Sequence, residues 1–375
     1  MIVRILLTKL VLILFAFPLN TQAQCVYGDV TKFNAGERII GYILDGHEWH
    51  LATIGDRSIA IPLPIILLSE RRFHIFMSSR FQQGNADWRG FRWVRDGEYQ
   101  GRIVRVDEQG NLVVREDAEG NIAAILPIDL SITRNVFSLM FAAVFLFFMM
   151  MKVAKAYKQR GSNQAPTGFQ NAIEPAIMLV RNSIAKQMLP AKYVDKHLPY
   201  LLTLFFFILF LNLLGLVPIF PGGANVTGNI AVTGGLALLT LISTFALGKQ
   251  HYFRHLVDYP GVPWWLKFPL PIMPVIELIG VLIKPVTLAI RLTANMMSGK
   301  MVIVSIIFVI FILGKISPQL GYGISPLSVF FVIFITGLKA LISVIQAYVF
   351  TLLTALYFGT ALQEVDHAES GHAHH

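Results

Sequence analysis

Apolar positions in the first third of this chain come in short alternating runs, and in the remainder as long unbroken ones. Residues 24–130 carry repeated Asp-Gly, Gly-Glu and Gln-Gly-Asn turn signals between alternating stretches such as Arg102–Val106 and Asn111–Arg115. This pattern predicts a small β-rich domain. The apolar run Ile59–Leu68 is broken by Pro62 and Pro64, which argues for strands rather than a spanning helix. Residues 131–362 read differently. Val136–Met151, extended by Val153 and Ala154, is long enough to span a bilayer, as are residues 199–219 and 229–248. Between the first two, Phe169–Met188 places Ile173, Ile177, Val180 and Ile184 at helical spacing, predicting an amphipathic interfacial helix.

The last two apolar segments, residues 275–314 and 326–362, would form helices of roughly 55–60 Å against a hydrocarbon core of about 30 Å. Mismatch of that size predicts tilt or a kink, for which Pro285 offers a site. Ser325-Pro326 reads as a fresh helix start after a glycine-rich turn at Gly321–Gly323. The expected fold is therefore an all-α integral membrane protein of about five transmembrane helices. It ends in a long tilted hairpin and carries a small β-rich extracytoplasmic domain in front.

Composition agrees: 55% of the 375 residues are apolar and only 14% charged, which excludes an ordinary soluble enzyme. The net charge of +9 is concentrated in loops, fitting contact with an anionic leaflet rather than nucleic acid. Lys152, Lys155, Lys158 and Arg160 follow the first span; Arg181, Lys186, Lys192 and Lys196 precede the second. Lys249, His251, Arg254, His255 and Lys267 follow the third, beside the interface anchors Trp264 and Trp265. The loop Pro221–Asn229 has no Lys or Arg. The positive-inside rule then puts the N-terminal domain outside and the C-terminus in the cytoplasm.

Residues 1–23 combine Arg4 and Lys9, the apolar run Leu10–Phe17 and the small residues of Thr21-Gln22-Ala23, a secretory signal pattern; an uncleaved anchor is the alternative. Cys25 is the single cysteine and excludes an internal disulfide. The pair His47 and His50 would face opposite sides of a strand, which disfavours a metal site. The polar tail Gln363–His375, with four histidines, reads as a disordered cytoplasmic end. No cofactor or metal is expected.

Arg291 carries the chemistry. It is a permanent cation in a membrane-length apolar stretch, at a cost of roughly 2.5–3.5 kcal/mol on insertion scales. Glu277, Lys284 and Arg291 recur every seven residues, with Thr287, Asn295 and Ser298 within about 40° of the same helical line. Lys339, Ser343 and Gln346 repeat a polar face in the partner segment. Packing between helices would explain part of this stripe. The only acid in the two segments before the tail is Glu277, about 21 Å from Arg291 along the helix. A buried acid on another subunit would satisfy the arginine, and Arg291 would hold that acid ionised.

The runs KPVTLAIRLTANMMSG at Lys284–Gly299, QAYVFTLLTALYF at Gln346–Phe358 and NLLGLVP at Asn212–Pro218 resemble subunit a of the F-type ATP synthase. The resemblance covers residues 130–362, and the secreted extension resembles the Bacteroidetes-like form of that subunit. It implies a proton-conducting stator that forms two half-channels against a ring of c subunits with buried carboxylates. A subunit b peripheral stalk and the remaining FoF1 complex would be its other protein partners, in the bacterial inner membrane. Arg291 matches the family's essential arginine, Asn295 and Gln346 its polar flanks, and Glu277 a carboxylate of the inward-facing half-channel. Lys284, Thr287, Ser298 and Ser343 would support the helix faces.

Lys300 and Lys339 stand where the family usually has a titratable carboxylate or histidine pair, so both members of the outer relay are cations here. A lysine relay, a water-filled channel and a paralogue with altered ion coupling all remain open. No covalent chemistry falls to the chain itself, since ATP would form on a separate head. Two other classes compete. A secondary transporter with an Arg-lined anion site predicts an inverted repeat, and no second copy of the arginine segment occurs. A membrane-anchored envelope-binding protein leaves the intramembrane arginine unexplained.

Overall fold

The computed structural model describes residues 45–362 apart from 55–56, 95–98, 100, 108, 117–121, 161–167, 218–219, 249–251 and 253–271. The signal sequence, Cys25, the basic loop with Trp264 and Trp265, and the histidine-rich tail lie outside the described residues, as do the side chains of His50 and Glu277.

The N-terminal domain is built from short antiparallel pairs. Strands β1 (Glu48–Ile54) and β2 (Arg57–Pro62) form one hairpin, with a register shift between His50 and Ala52. Strand β3 (Pro64–Ser69) is the centre of a three-stranded sheet between β4 (Arg72–Met77) and β9 (Ile128–Asp129). The pairs β5 (Phe91–Trp93) with β6 (Ile103–Arg105) and β7 (Val114–Glu116) with β8 (Ile122–Ala124) complete it. Pro62 closes β2 and Pro64 opens β3, the strand ends where a missing N–H breaks no ladder. Alternation along β3 turns Ile65 and Leu67 inward, where they pack with Phe81, Phe91, Trp93 and Ile103. Behind this core the buried His47 ring lies 3.0 Å from Asp129 through Nε2, with its ring edge toward Trp93.

Five of the helices among the described residues are long and apolar enough to cross a membrane. They are α1 (Arg134–Arg160), α3 (Ala191–Leu216), α4 (Ile230–Leu247), α5 (Ile272–Ile316) and α6 (Pro318–Leu362). The amphipathic segment is α2 (Phe169–Met178), which continues through a π-helical stretch, Leu179–Ala185, to Met188. Of the four residues at helical spacing, Ile173, Val180 and Ile184 are buried and Ile177 is half-buried.

Two boundaries differ from expectation. Helix α3 begins eight residues before Pro199 rather than at it. Thr203 Oγ1 donates to the Pro199 carbonyl at 2.8 Å, back-bonding that suits a helix passing through proline. Pro285 lies inside α5, whose helix is unbroken. The predicted turn at Gly321–Gly323 is helical, as is Pro326, because α6 starts at Pro318 with only Ser317 between it and α5. The glycine there serves contact rather than a turn. A Cβ on Gly321 would lie 2.8 Å from the Gly314 Cα, so the two backbones meet where neither residue has a side chain.

At 45 residues each, α5 and α6 measure about 68 Å if straight, twice the hydrocarbon thickness of about 30 Å. Both contribute to two compact units. One takes in the chain up to Phe145 with Phe210–Ala231 and Ala294–Ile342; the other comprises Leu146–Leu209, Val232–Thr293 and the chain from Ser343. In the second unit Phe358 packs its ring against Tyr200 at 5.2 Å and His197 at 5.8 Å. Gly359 allows this seat, since a Cβ would lie 2.1 Å from the Met188 carbonyl oxygen.

Candidate functional site

Arg291 belongs to the second unit, on α5, with its side chain exposed from the chain. Thr287 and Lys284, one and two turns earlier, are exposed on the same helix. Their neighbours Ile283, Val286 and Ile290 are also half or more exposed, so the cation sits within an apolar face that the described residues leave uncovered. No ion pair among the described residues involves Arg291. Lys284 Nζ stands 5.9 Å from the centre of the Tyr357 ring of α6, a cation–π distance, and Tyr357 is also within Coulombic reach of Arg291. Gln346 and Ser343 lie on α6 in the same unit and are buried. Thr287 Oγ1 is turned back to the Ile283 carbonyl at 2.9 Å. Thr233 of α4 and Thr293 of α5 share a hydroxyl hydrogen bond of 2.6 Å.

Asn295, Ser298 and Lys339 of the two polar faces meet in the first unit. Asn295 offers its backbone carbonyl to two donors, Ser298 Oγ at 3.2 Å and Lys339 Nζ at 3.1 Å. The Lys339 stem crosses α5 at Gly299, where a Cβ would stand 2.5 Å from Cε and 2.8 Å from Nζ. Lys300 is buried and donates from Nζ to the Gly223 carbonyl at 2.7 Å. Arg134, the first residue of α1, lies within Coulombic reach of Lys300. The two lysines thus both end on backbone carbonyls, Lys300 on a loop and Lys339 on the neighbouring helix.

Sequence reasoning found Lys300 and Lys339 but missed Gly223, Gly299 and Arg134. Gly299 carried a signal in retrospect, as a small residue between two polar ones on a long helix. Gly223 carried none, because which carbonyl meets an ammonium depends on how the loop returns.

Five membrane-length helices, one of them carrying an exposed fixed cation within its apolar run, define a multi-pass membrane protein. A family model described as ATP synthase A chain matches residues 136–359, and one for a domain of unknown function (DUF8433) matches residues 38–130. The chain is 39% identical over 251 residues to ATP synthase subunit a of Chloroherpeton thalassium, covering 66% of this chain and 71% of the relative. It is 42% identical over 250 residues to ATP synthase subunit a 2 of Prosthecochloris aestuarii, covering 65% and 73%. Against ATP synthase subunit a of Chlorobium phaeobacteroides it is 41% identical over 254 residues, covering 66% and 70%. The chain belongs to the ATP synthase subunit a family, and with that membership comes the subunit a role in ATP synthesis and proton transport.

Proposed function

We propose that this chain is the proton-conducting stator of the Fo motor, working against a ring of c subunits that carry buried carboxylates. The exposed Arg291, which has no ion pair among the described residues and lies among exposed apolar side chains in a chain from this family, is the observation that supports the reading most. A proton enters by an outward-facing half-channel, neutralises a ring carboxylate, travels with the ring and leaves by an inward-facing half-channel. Near Arg291 the carboxyl gives up its proton, because the guanidinium favours the ionised form, and the same charge keeps protons from passing directly between the two half-channels. Asn295 and Gln346 flank the arginine, Glu277 serves the inner route, and Lys300 and Lys339 line the outer one. Lys284, Thr287, Ser298 and Ser343 keep the facing surfaces polar.

Both lysines already donate to carbonyls, which favours a watered outer route that they shape over a relay in which they carry protons. The orientation follows from the basic cluster after α1 and the uncharged loop after α3: the N-terminal domain outside the inner membrane and the C-terminus in the cytoplasm. In this scheme a b-subunit stalk anchors the chain to the rest of FoF1, residues 1–23 direct export, and residues 24–130, 131–362 and 363–375 form the outer domain, membrane domain and tail.

The test is purification of the tagged chain from its own membranes in mild detergent. The reading predicts copurification of a small proteolipid bearing one carboxylate in an apolar segment, together with the catalytic head. A chain that purifies alone, with no proteolipid under conditions that keep the complex active, would overturn it.

A further inference from the structure

The β-rich domain matches a domain of unknown function, yet its contacts with α1 and with the loop after α3, which share its compact unit, are specific. Asp45 is buried at the start of α1, and its Oδ1 accepts from the backbone N–H of Asn135 at 3.1 Å and of Gly46 at 2.9 Å. The Arg134 N–H donates to the Gly46 carbonyl at 3.0 Å, and Thr133 Oγ1 accepts from the Val136 N–H at 3.4 Å. The first N–H groups of α1, which no helix can satisfy itself, are therefore taken up partly by a segment some 90 residues earlier. Asp45 also hydrogen-bonds Thr133 and is within Coulombic reach of Arg134.

Beside this cap, Trp49 of β1 is buried between two rings. Its centroid lies 5.8 Å from Phe137 of α1 and 5.1 Å from Phe220, both edge-on, while Phe137 and Phe220 are 5.5 Å apart. Phe220 opens the loop that runs through Pro221, whose carbonyl accepts from Ser138 Oγ at 3.1 Å, to Gly223, whose carbonyl receives Lys300. A continuous set of contacts leads from the β-rich domain to the buried ammonium.

We propose that the β-rich domain is a docked collar on the outward end of the proton route, in which Trp49 and Asp45 are positioning residues for the loop that holds Lys300. The proposal rests on the stator reading above, which makes that loop part of the outer half-channel. It gives the domain a role in proton entry that a tether would not have. The charged groups around this docking seam are Asp45, Arg134 and Lys300, with the His47–Asp129 pair behind it in the domain.

The experiment uses membranes carrying the whole complex, stripped of the catalytic head, with passive proton conduction driven by a potassium diffusion potential and normalised to assembled chain. For Trp49→Ala, conduction is expected to fall roughly 3- to 10-fold, the equilibrium worth of the lost aromatic contacts, with Trp49→Phe restoring most of it. Asp45→Ala should fall as well, and Asp45→Asn, which keeps an acceptor for Asn135 and Gly46, should recover. The dependence of conduction on external pH should move in the Ala variants while the dependence on internal pH stays. Should Trp49→Ala fail to assemble, Phe220→Ala removes the same contact from the loop side and carries the same expectation. Conduction equal to the unsubstituted chain in the assembled Ala variants, or equal loss in the Ala and the conservative variants, would overturn the collar. Absence of proton conduction in the unsubstituted membranes would instead count against the stator reading itself.

Discussion

Two cations on the same long helix stand in opposite surroundings. Lys300 is buried and its ammonium ends on the Gly223 carbonyl of its own chain, whereas Arg291, nine residues earlier, is exposed and has no ion pair among the described residues. A buried charge is tolerable only when its donors are used, so the fold has settled Lys300 internally. The guanidinium has five donors and stays charged, and the exposed Ile283, Val286 and Ile290 beside it are apolar. Lys300 is held by the chain's own backbone; Arg291, in the function proposed above, is held for an interface with the ring.

Substitution at the arginine should separate the two most sharply. Arg291→Lys keeps the charge but replaces a planar fork by a point charge, and ATP-driven pumping should drop by at least ~10-fold, the worth of one charge-assisted hydrogen bond. Pumping close to normal would mean that any cation suffices there. Lys300→Met removes the donor to Gly223 and the buried charge together, so the two effects partly cancel. The complex should assemble, keep measurable pumping, and change its unfolding free energy in detergent by less than about 2 kcal/mol. A loss as complete as at the arginine would erase the contrast.

The β-rich N-terminal domain offers the same contrast between two acids. Burial pushes the Asp129 carboxyl up, but hydrogen bonds from His47 and Ser131 and the His47 charge outweigh it and hold the carboxyl below its usual range. Its contribution to stability is therefore present above the unfolded value of about 3.9 and lost as pH falls through the lower folded value. Burial of Asp45 outweighs its bonds to Thr133, Asn135 and Gly46 and the charge of Arg134, and raises its carboxyl. Its contribution is present below about 3.9 and lost as pH rises through the folded value. Tryptophan fluorescence during acid titration should show Asp129→Asn flattening the acid limb, with Trp93 as the near reporter. The smallest effect expected is at Thr233→Val, which breaks the hydroxyl pair with Thr293 and should cost about 0.6 kcal/mol in a thermal melt.

Much of this was legible in the residues. Long apolar runs marked each span, and paired prolines split Ile59–Leu68 into the end of one strand and the start of another. The polar stripe isolated Arg291 because a charge in lipid has few bland explanations. The hairpin tip was misread, since glycine signals a turn locally but here permits two helix backbones to touch at Gly314 and Gly321. The Asp45 cap was illegible for a different reason: a carboxylate meeting an N–H across 90 residues leaves no periodic trace. The same holds for Lys300, whose partner is a backbone carbonyl and so has no residue type to recognise.

In the function proposed above, Arg291 faces a carboxylate supplied by the rotor. ATP-driven proton pumping by membranes carrying the assembled complex with Arg291→Ala tests it most directly. The account predicts that pumping disappears while the amount of assembled complex stays near that of the unsubstituted protein; undiminished pumping would contradict it.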